Sequence, residues 1–197
     1  MSTDLRLVRE KLARRTPRLV TAGQSPSQRA AVAAILREQA HGPEVLLIRR
    51  AERVGDPWSG QMAFPGGRAS ESDPDLVTTA IRETREEVGL DLDEGSELLG
   101  RLDDLPAIAR AKPTGLVITP FVFAVEEAPT LALNHEVAEA IWTPLEPLIS
   151  GASGTTFAYR LDGQTLRLPA LRVGQHIVWG LTYQMLRMLF DTLESRY

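Results

Sequence analysis

Three glutamates at helical spacing are the residues of this sequence best suited to chemistry. Glu83, Glu86 and Glu87 stand at positions i, i+3 and i+4, so on an α-helix they share an arc of about 100°. Like charges at this spacing repel one another, and near a helix C-terminus the macrodipole also disfavours anions. A divalent cation offsets both penalties, and Mg²⁺ in particular takes oxygen ligands and bridges substrate phosphates.

The arginines between these acids permit a simpler interpretation. Arg82 and Arg85 would form exposed ion pairs with the glutamates on a solvated helix face, and such pairs are common and weak. The preceding residues favour the metal instead. Gly66 and Gly67 lie shortly before the helix, and glycines let a backbone carbonyl approach an ion or a phosphate closely.

The helix that carries the glutamates is predicted over residues 75–88, with Gly89 as its C-terminal stop. Further helices are predicted at residues 145–149 and 177–193. Strands are predicted at residues 30–36, 44–48, 98–102, 115–125, 140–142, 155–161 and 164–168, and residues 62–64 form a short apolar stretch that stops at the glycine turn. Asp162-Gly163 predicts a hairpin between the last two of these strands, and Pro120 implies an edge strand or a bulge at residues 115–125. The pattern is that of a mixed α/β domain.

Composition excludes several classes of protein. The 197 residues carry 22 Lys+Arg against 26 Asp+Glu, which excludes a broad basic footprint for nucleic acid. The absence of cysteine excludes disulfides, thiolate zinc, iron–sulfur clusters and a cysteine nucleophile, and so favours hard cations bound through oxygen. No apolar stretch approaches the ~20 residues of a transmembrane helix, and the N-terminus does not read as a secretory signal. We therefore expect a cytoplasmic protein with no membrane partner.

The N-terminal segment is predicted to be separate from the main domain. Leu5, Val8 and Leu12 recur at helical spacing, which indicates a short amphipathic helix. Residues 21–28 are small and polar and predict a linker. The expected division is an N-terminal helix and linker at 1–28 and a functional domain at 29–197.

The glycine turn and the acidic helix together resemble the signature of the Nudix hydrolase family. That signature runs Gly, five residues, Glu, seven residues, then Arg-Glu-aliphatic-x-Glu-Glu-x-Gly-aliphatic. Here Gly67 is followed by RETREEVGL at 82–90. The spacing is one residue longer, Asp73 lies near the place of the first Glu, and Thr84 replaces the aliphatic residue. The longer spacing resembles the coenzyme A pyrophosphatase-like branch of the family.

The resemblance to that branch extends over residues 29–190, which match it in order. Its upstream motif, LLTxRS…GQxxFPGG, resembles LLIRRA at 46–51 and GQMAFPGG at 60–67. Residues 52–59 depart from the branch, because they lack its usual His. The resemblance implies a Nudix-type α/β/α sandwich with a mixed central sheet, an α/β (α+β) fold.

The activity implied by the resemblance is metal-dependent hydrolysis of a pyrophosphate bond in a nucleoside diphosphate derivative, with Mg²⁺ or Mn²⁺ as cofactor. Coenzyme A or a coenzyme A thioester is the first expectation, with 3',5'-ADP and 4'-phosphopantetheine as products. ADP-ribose, nucleoside triphosphates or another nucleotide are the alternatives. A non-catalytic regulator of the same fold is a further alternative, but it would be expected to lack helix carboxylates. Homodimers are frequent in the family, so a homodimer is also predicted.

The family pattern assigns roles to matching residues. It makes Glu83, Glu86 and Glu87 metal ligands, with one of them doubling as general base. It makes the backbone carbonyl of Gly67 a further metal ligand. In the same pattern Arg82 orients the carboxylates by bidentate hydrogen bonds. A base from another loop is the alternative: Glu136 or Glu139, although Glu136 also reads as a turn residue beside His135.

Substrate-binding candidates lie upstream of the helix. They are Arg49, Arg50, Trp58, Gln61 and Phe64. One arginine of the pair is expected to face phosphate and the other solvent. Trp58 has two open interpretations, stacking on a base such as adenine or anchoring its loop by packing.

Two aromatic residues near the C-terminus are interpreted as core rather than as site. Trp179 and Tyr183 stand four residues apart, within the segment predicted as the last helix. Core packing is the expected role for both.

Overall fold

In the part of the chain that the structure describes, strands alternate with four α-helices. The structure, a computed structural model, describes residues 4–20, 25–56, 58–109, 111–125 and 129–194. The helices are α1 (Leu5–Ala13), α2 (Leu76–Val88), α3 (Leu145–Ile149) and α4 (Gly180–Glu194). The strands are β1 (Arg29–Arg37), β2 (Glu44–Arg50), β3 (Met62–Ala63), β4 (Gly66–Arg68), β5 (Ser96–Arg101), β6 (Leu105–Ala109), β7 (Lys112–Val125), β8 (Val137–Pro144), β9 (Gly154–Leu161), β10 (Gln164–Val173) and β11 (His176–Trp179).

A parallel pair of strands forms the centre of the larger sheet. Strands β1 and β7 run side by side from Arg29 beside Val117 to Arg37 beside Val125. Antiparallel neighbours flank them, with β2 and β4 on β1 and with β5 and β6 on β7. Strands β3 and β8 add to β2. The predicted mixed sheet is therefore confirmed.

Helices cover both faces of this sheet, because both faces of its central strands are apolar. On one face α2 contributes Ala80 and Val88 to a cluster that includes Ala33 and Ile35 of β1. On the other face α1, α3 and α4 pack against the alternate residues of β1, with Phe190 of α4 fully buried. This is the α/β/α arrangement that the resemblance implied.

The N-terminal helix packs into the same core as the rest of the chain. Asp4 caps α1 by accepting a hydrogen bond from the Leu7 N–H at 2.7 Å, and Val8 and Leu12 are buried. After the helix, the Val20 N–H donates to the buried carboxylate of Asp104 at 2.9 Å. Residues 21–24 of the predicted linker lie outside the described residues.

The prediction that Pro120 marks an edge or a bulge was wrong, because β7 is a central strand. A residue's N–H and C=O point to the same side of a strand, and the Pro120 carbonyl accepts from the Leu102 N–H at 2.9 Å. Arg101 of β5 lies opposite Phe121, whereas Leu105 of β6 lies opposite Ile118. The missing proline donor thus falls where β7 exchanges one antiparallel neighbour for the other.

The predicted start of the last helix was also wrong. Residues 176–179 form β11, and α4 begins at Gly180, whose φ is +64°. The run Ile177-Val178-Trp179 suits a strand, and β10 offers it an edge on which Trp179 lies opposite Ala170. The hairpin before it is confirmed, with positive φ at Asp162 and Gly163. Strands β9, β10 and β11 form a separate three-stranded sheet.

No helix within the described ranges combines the length and the apolar character needed to cross a bilayer. The longest, α4, has 15 residues. The cytoplasmic location stays a prediction.

The glycine turn before α2 is held against β1. Strand β4 pairs antiparallel with β1, so that Gly66 lies opposite Val32 and Gly67 opposite Ala31. Gly66 has φ +147°, and a Cβ there would overlap the carbonyl oxygen of Ala31. Only glycine fits this position without displacing the backbone of the central strand.

Substituting Gly66 is therefore expected to destabilise the whole fold. Gly66→Ala adds both a steric overlap and a strained φ, so we expect it to lower the free energy of unfolding by about 2–4 kcal/mol in urea titrations. Gly151→Ala is the matched control, because Gly151 has φ +80° and open space around it. Its cost should stay near ~1–2 kcal/mol. Equal losses in both variants would contradict the overlap.

Candidate active site

Local signals define the helix that carries the glutamates. The Asp75 carboxylate accepts from the Thr78 N–H at 2.7 Å and so caps the N-terminus of α2. Gly89 ends the helix in the left-handed conformation, with its N–H bonded to the Arg85 carbonyl. Thr84, which replaces an aliphatic residue of the family pattern, is buried and donates to the Ala80 carbonyl at 2.7 Å. The prediction of a helix over residues 75–88 is confirmed.

The three glutamates differ sharply in exposure. Glu87 is 2% exposed, and its Oε2 accepts a 2.8 Å hydrogen bond from the Gly66 N–H. The Glu83 carboxylate fills the space that a Cβ at Gly67 would occupy. Glu86 is the outermost, with 56% of its side chain exposed. The glycine turn and the helix therefore meet through these carboxylates.

The interpretation of a solvated face of ion pairs holds for Arg82, which pairs with Glu83 and lies near Glu86, but not for Arg85 or for the buried Glu87. Arg85 turns away from the glutamates and pairs with Asp91 at 2.7 Å and with Asp93 at 3.2 Å. Glu87 and Glu83 instead face a cleft between α2, the glycine turn and α4. Removal from water raises the pKa of Glu87 to about 7 and also raises the pKa of Glu83.

This donor set fits a hard divalent cation. Carboxylate oxygens of Glu83, Glu86 and Glu87, and a carbonyl of the closely packed glycine turn, are the ligands that Mg²⁺ and Mn²⁺ prefer. A bound cation would also favour the charged forms of Glu83 and Glu87. Among the described residues, no three acidic or histidine side chains already stand together in metal-binding geometry. The roles of these residues as ligands therefore stay a prediction.

Arg82 organises the acids around it. Its guanidinium makes a bidentate pair with Asp73, with both N–H···O distances 2.9 Å, and its Nη1 donates to Glu83 at 2.8 Å. Glu86 lies farther, at 3.5 Å. Asp73 is in turn fixed by the Ser70 N–H and by the Thr79 hydroxyl, both at 2.9 Å. The bidentate partner of Arg82 is thus Asp73, whereas its Nη1 makes one hydrogen bond to Glu83 and lies 3.5 Å from both carboxylate oxygens of Glu86.

The cleft beside the glutamates has a volume of about 350 Å³. Four of the five predicted substrate-binding residues line it, namely Arg50, Trp58, Gln61 and Phe64. Gly66, Gly67 and Arg68 form the adjoining wall. Strand β3 and the glycine turn, which follow one another in sequence, therefore bring polar and aromatic side chains to the same opening as the acids.

The two neighbouring arginines of β2 point to different places. Arg50 lines the cleft and pairs with Asp56 at 2.7 Å. Its Nε is buried and has no hydrogen-bond partner among the described residues. Arg49 lies outside the cleft lining, with its Nε 3.8 Å from Glu139 Oε2. Successive residues of a strand face opposite sides, which explains the divergence.

Glu136 reaches the cleft from another part of the chain. It sits in a turn, as the sequence suggested, yet it also lines the cleft with Glu83 and Glu87. The Ala51 N–H donates to its carbonyl at 2.7 Å, and Arg53 Nη2 pairs with its carboxylate at 2.9 Å. Glu139 lies apart and pairs with His176.

Helix α4 supplies cleft residues that the sequence did not indicate. Leu181, Thr182 and Met185 line the opening, and the Thr182 hydroxyl donates to the Met62 carbonyl at 2.9 Å. That bond joins α4 to β3. No local signal distinguishes these residues from other buried positions of an amphipathic helix.

Residues 26–160 match the family model described as the NUDIX domain. The chain belongs to the Nudix family. An uncharacterised protein of Schizosaccharomyces pombe is 36% identical over 163 residues, which cover 79% of this chain and 49% of that protein. An uncharacterised Nudix hydrolase of Photorhabdus laumondii is 32% identical over 153 residues, which cover 77% of this chain and 78% of that protein.

The human mitochondrial coenzyme A diphosphatase is 33% identical over 141 residues, which cover 71% of this Nudix chain and 58% of that protein. The chain thus spans only about half to three fifths of the length of two of these relatives. A crystal structure of a Nudix hydrolase from Alicyclobacillus acidocaldarius matches with a TM-score of 0.51 at 20% identity, covering 86% of this chain and 93% of the other. At that identity the match supports the fold alone.

The Asp73–Arg82 pair should stabilise the fold in a pH-dependent way. The guanidinium holds the pKa of Asp73 well below its usual range. The stability that this ion pair contributes is therefore fully present above ~4, the pKa of Asp73 in the unfolded chain. It is lost as the pH falls towards the lower pKa of Asp73 in the folded protein. We expect Asp73→Asn to lower the free energy of unfolding by roughly 2 kcal/mol at pH 7.

Urea titrations at pH 7 and at pH 3 test this expectation, because the difference between wild type and Asp73→Asn should shrink at the lower pH. Asp91→Asn is the matched control. Asp91 also pairs with an arginine of α2, but about half of each side chain is exposed, so its effect should stay below ~1 kcal/mol. An equal loss in the two variants at pH 7 would count against the pair.

Proposed function

We propose that this chain is a metal-dependent pyrophosphatase acting on nucleoside diphosphate derivatives. The observation that carries the proposal is the placement of the buried Glu87 and the partly buried Glu83, which pack against the Gly66-Gly67 turn and line the same cleft. Withdrawing two neighbouring carboxylates from water is costly unless positive charge offsets it. A site that receives a cation and an anionic substrate removes that cost.

The metal ligands in this proposal are Glu83, Glu86, Glu87 and the Gly67 carbonyl. A bound Mg²⁺ or Mn²⁺ supplies positive charge to the phosphoryl oxygens and makes water more acidic. Arg82 holds the Glu83 carboxylate in place while Asp73 holds Arg82. Arg50 is the proposed partner of the pyrophosphate, since it is the arginine of the β2 pair that lines the cleft.

Glu136 is the residue best placed to accept the proton of the attacking water. It enters the cleft from the loop before β8, across from the glutamates of α2. Arg53 fixes its carboxylate at 2.9 Å. A base that is separate from the metal ligands leaves their oxygens free to hold the cation.

Coenzyme A or one of its thioesters is the proposed substrate. The motifs at residues 46–51 and 60–67 resemble those of the coenzyme A pyrophosphatase-like branch, and the human relative is a coenzyme A diphosphatase at 33% identity. Hydrolysis would then give 3',5'-ADP and 4'-phosphopantetheine or its acylated form. ADP-ribose and nucleoside triphosphates are the competing substrates for the same chemistry.

Removing one helix carboxylate should abolish turnover without unfolding the protein. We expect Glu86→Gln to lower kcat by about 100-fold or more with Mg²⁺ or Mn²⁺, because a neutral amide is a poorer ligand. The assay is a panel of coenzyme A, a thioester, ADP-ribose and a nucleoside triphosphate. Calorimetric titration with Mn²⁺ should show weaker metal binding in the same variant.

Glu94→Gln is the control for this experiment, since Glu94 is an exposed acid beyond the helix. It should keep wild-type activity and metal affinity. Full activity of Glu86→Gln, or the absence of turnover of every diphosphate in the panel by wild type, would refute the proposal.

The two candidate bases can be separated by paired substitutions. We expect Glu136→Gln to lower kcat by about 100-fold or more while KM changes little, which is the range typical of a lost general base. Glu139→Gln should stay within about twofold, because Glu139 lies outside the cleft lining. If Glu139→Gln loses activity and Glu136→Gln does not, Glu139 is the general base. If both variants stay active, the base is one of the helix glutamates.

A further inference from the structure

A second cleft, of about 500 Å³, adjoins the first. One wall is the three-stranded sheet β9–β10–β11, and the other includes Ile108 of β6 and the start of α4. This sheet lies largely beyond residue 160, where the match to the family model ends. The family-model match therefore leaves most of this sheet uncovered, and none of the site roles assigned above falls on it.

Strand register makes the cleft-facing side of the small sheet apolar. Phe157 lies opposite Leu168 and Tyr159 opposite Leu166, and directly opposed residues share a face. The Phe157 ring stacks on Trp179 with centroids 4.2 Å apart and planes within 14°. The structure thus corrects the role expected for Trp179, which forms part of a cleft wall and does not belong to the last helix.

This wall is apolar yet open to solvent. Leu166 is 40% exposed, and Ile108 across from it is 52% exposed. Arg160 is the single charged side chain among the described residues that line the cleft. The first cleft is lined by five charged residues instead, which are Glu83, Glu87, Glu136 and two arginines. The second cleft therefore suits an uncharged, apolar group.

The two clefts are neighbours that share part of their walls. Trp58, Gln61 and Leu181 line both of them. A ligand whose phosphates lie beside the α2 glutamates would therefore reach the aromatic wall by passing these three residues. The shared wall favours one occupant for both clefts, because it places a site for a charged diphosphate next to a site for an apolar arm.

We propose that the second cleft binds the apolar arm of the substrate, an acyl group carried on the far end of the diphosphate compound. The proposal rests on the pyrophosphatase function proposed above and deepens it. The enzyme would then discriminate between substrates that share the same nucleotide and pyrophosphate but differ in the acyl arm, with a preference for the thioester over free coenzyme A.

Kinetics on such a substrate pair test the discrimination. We expect Leu166→Asn to lower kcat/KM for octanoyl-coenzyme A about five- to tenfold while leaving kcat/KM for free coenzyme A within about twofold. Ile108→Asn, on the opposite wall, should act in the same direction. Both side chains are exposed enough for the fold to tolerate the change.

The matched control is Leu98→Asn. Leu98 is 45% exposed on β5 and lines neither cleft, so both substrates should be unaffected. Equal losses on the two substrates in Leu166→Asn, or no loss on either, would overturn the proposal.

A binding measurement separates this proposal from the one on which it rests. Octanoyl-pantetheine carries the arm without phosphates, and Trp58 and Trp179 report on the cleft by their fluorescence. We expect saturable quenching in wild type without metal, with affinity about five- to tenfold weaker in Leu166→Asn. Binding without hydrolysis of any diphosphate would refute the pyrophosphatase and keep the cleft assignment. Hydrolysis without such binding or acyl preference would refute the cleft assignment alone.

The competing occupant is a second copy of this chain. Sedimentation of wild type and Leu166→Asn distinguishes it. A wild-type dimer that dissociates on this substitution, with no acyl preference in the kinetics, would make the aromatic wall a dimer interface and overturn the proposal. An unchanged sedimentation coefficient together with the kinetic loss supports the arm site.

Discussion

The contact between the glycine turn and two glutamates of α2 is the constraint on which the rest of the site depends. The Gly66 N–H donates to Glu87, and the Glu83 carboxylate occupies the space beside Gly67. A Cβ at Gly66 would meet the backbone of β1, and a Cβ at Gly67 would displace the Glu83 carboxylate from its position. The small residues of β1 and the pairing of β4 with it are needed to bring the turn this close.

The charged groups around α2 are arranged by their pairing with acids. Burial raises the pKa of both Glu83 and Glu87, because water stabilises their charged forms less well there. Arg82 holds Glu83 but directs its strongest contact to Asp73, while Arg85 turns to the acids after the helix. The positive charge around α2 is thus drawn towards other acids, which leaves Glu87 and the outer Glu86 open to a cation.

The two clefts differ in the chemistry of the side chains that line them. Charged groups concentrate where α2, the glycine turn and the loop before β8 meet, and apolar aromatic groups concentrate on the small sheet. Helix α4 and the shared residues Trp58 and Gln61 lie between them. A nucleotide linked through a pyrophosphate to an apolar arm has the same division of charge along its length.

By itself the sequence determined the helix, its caps and the acids on it, because these depend on residues within a few positions of one another. The tertiary structure decided which acid is buried, that Arg50 and not Arg49 enters the cleft, and that Glu136 joins it. It also placed Pro120 in a central strand and Trp179 on a sheet. The physical reason is that strand pairing joins residues far apart in the chain, and no local pattern specifies which edges meet.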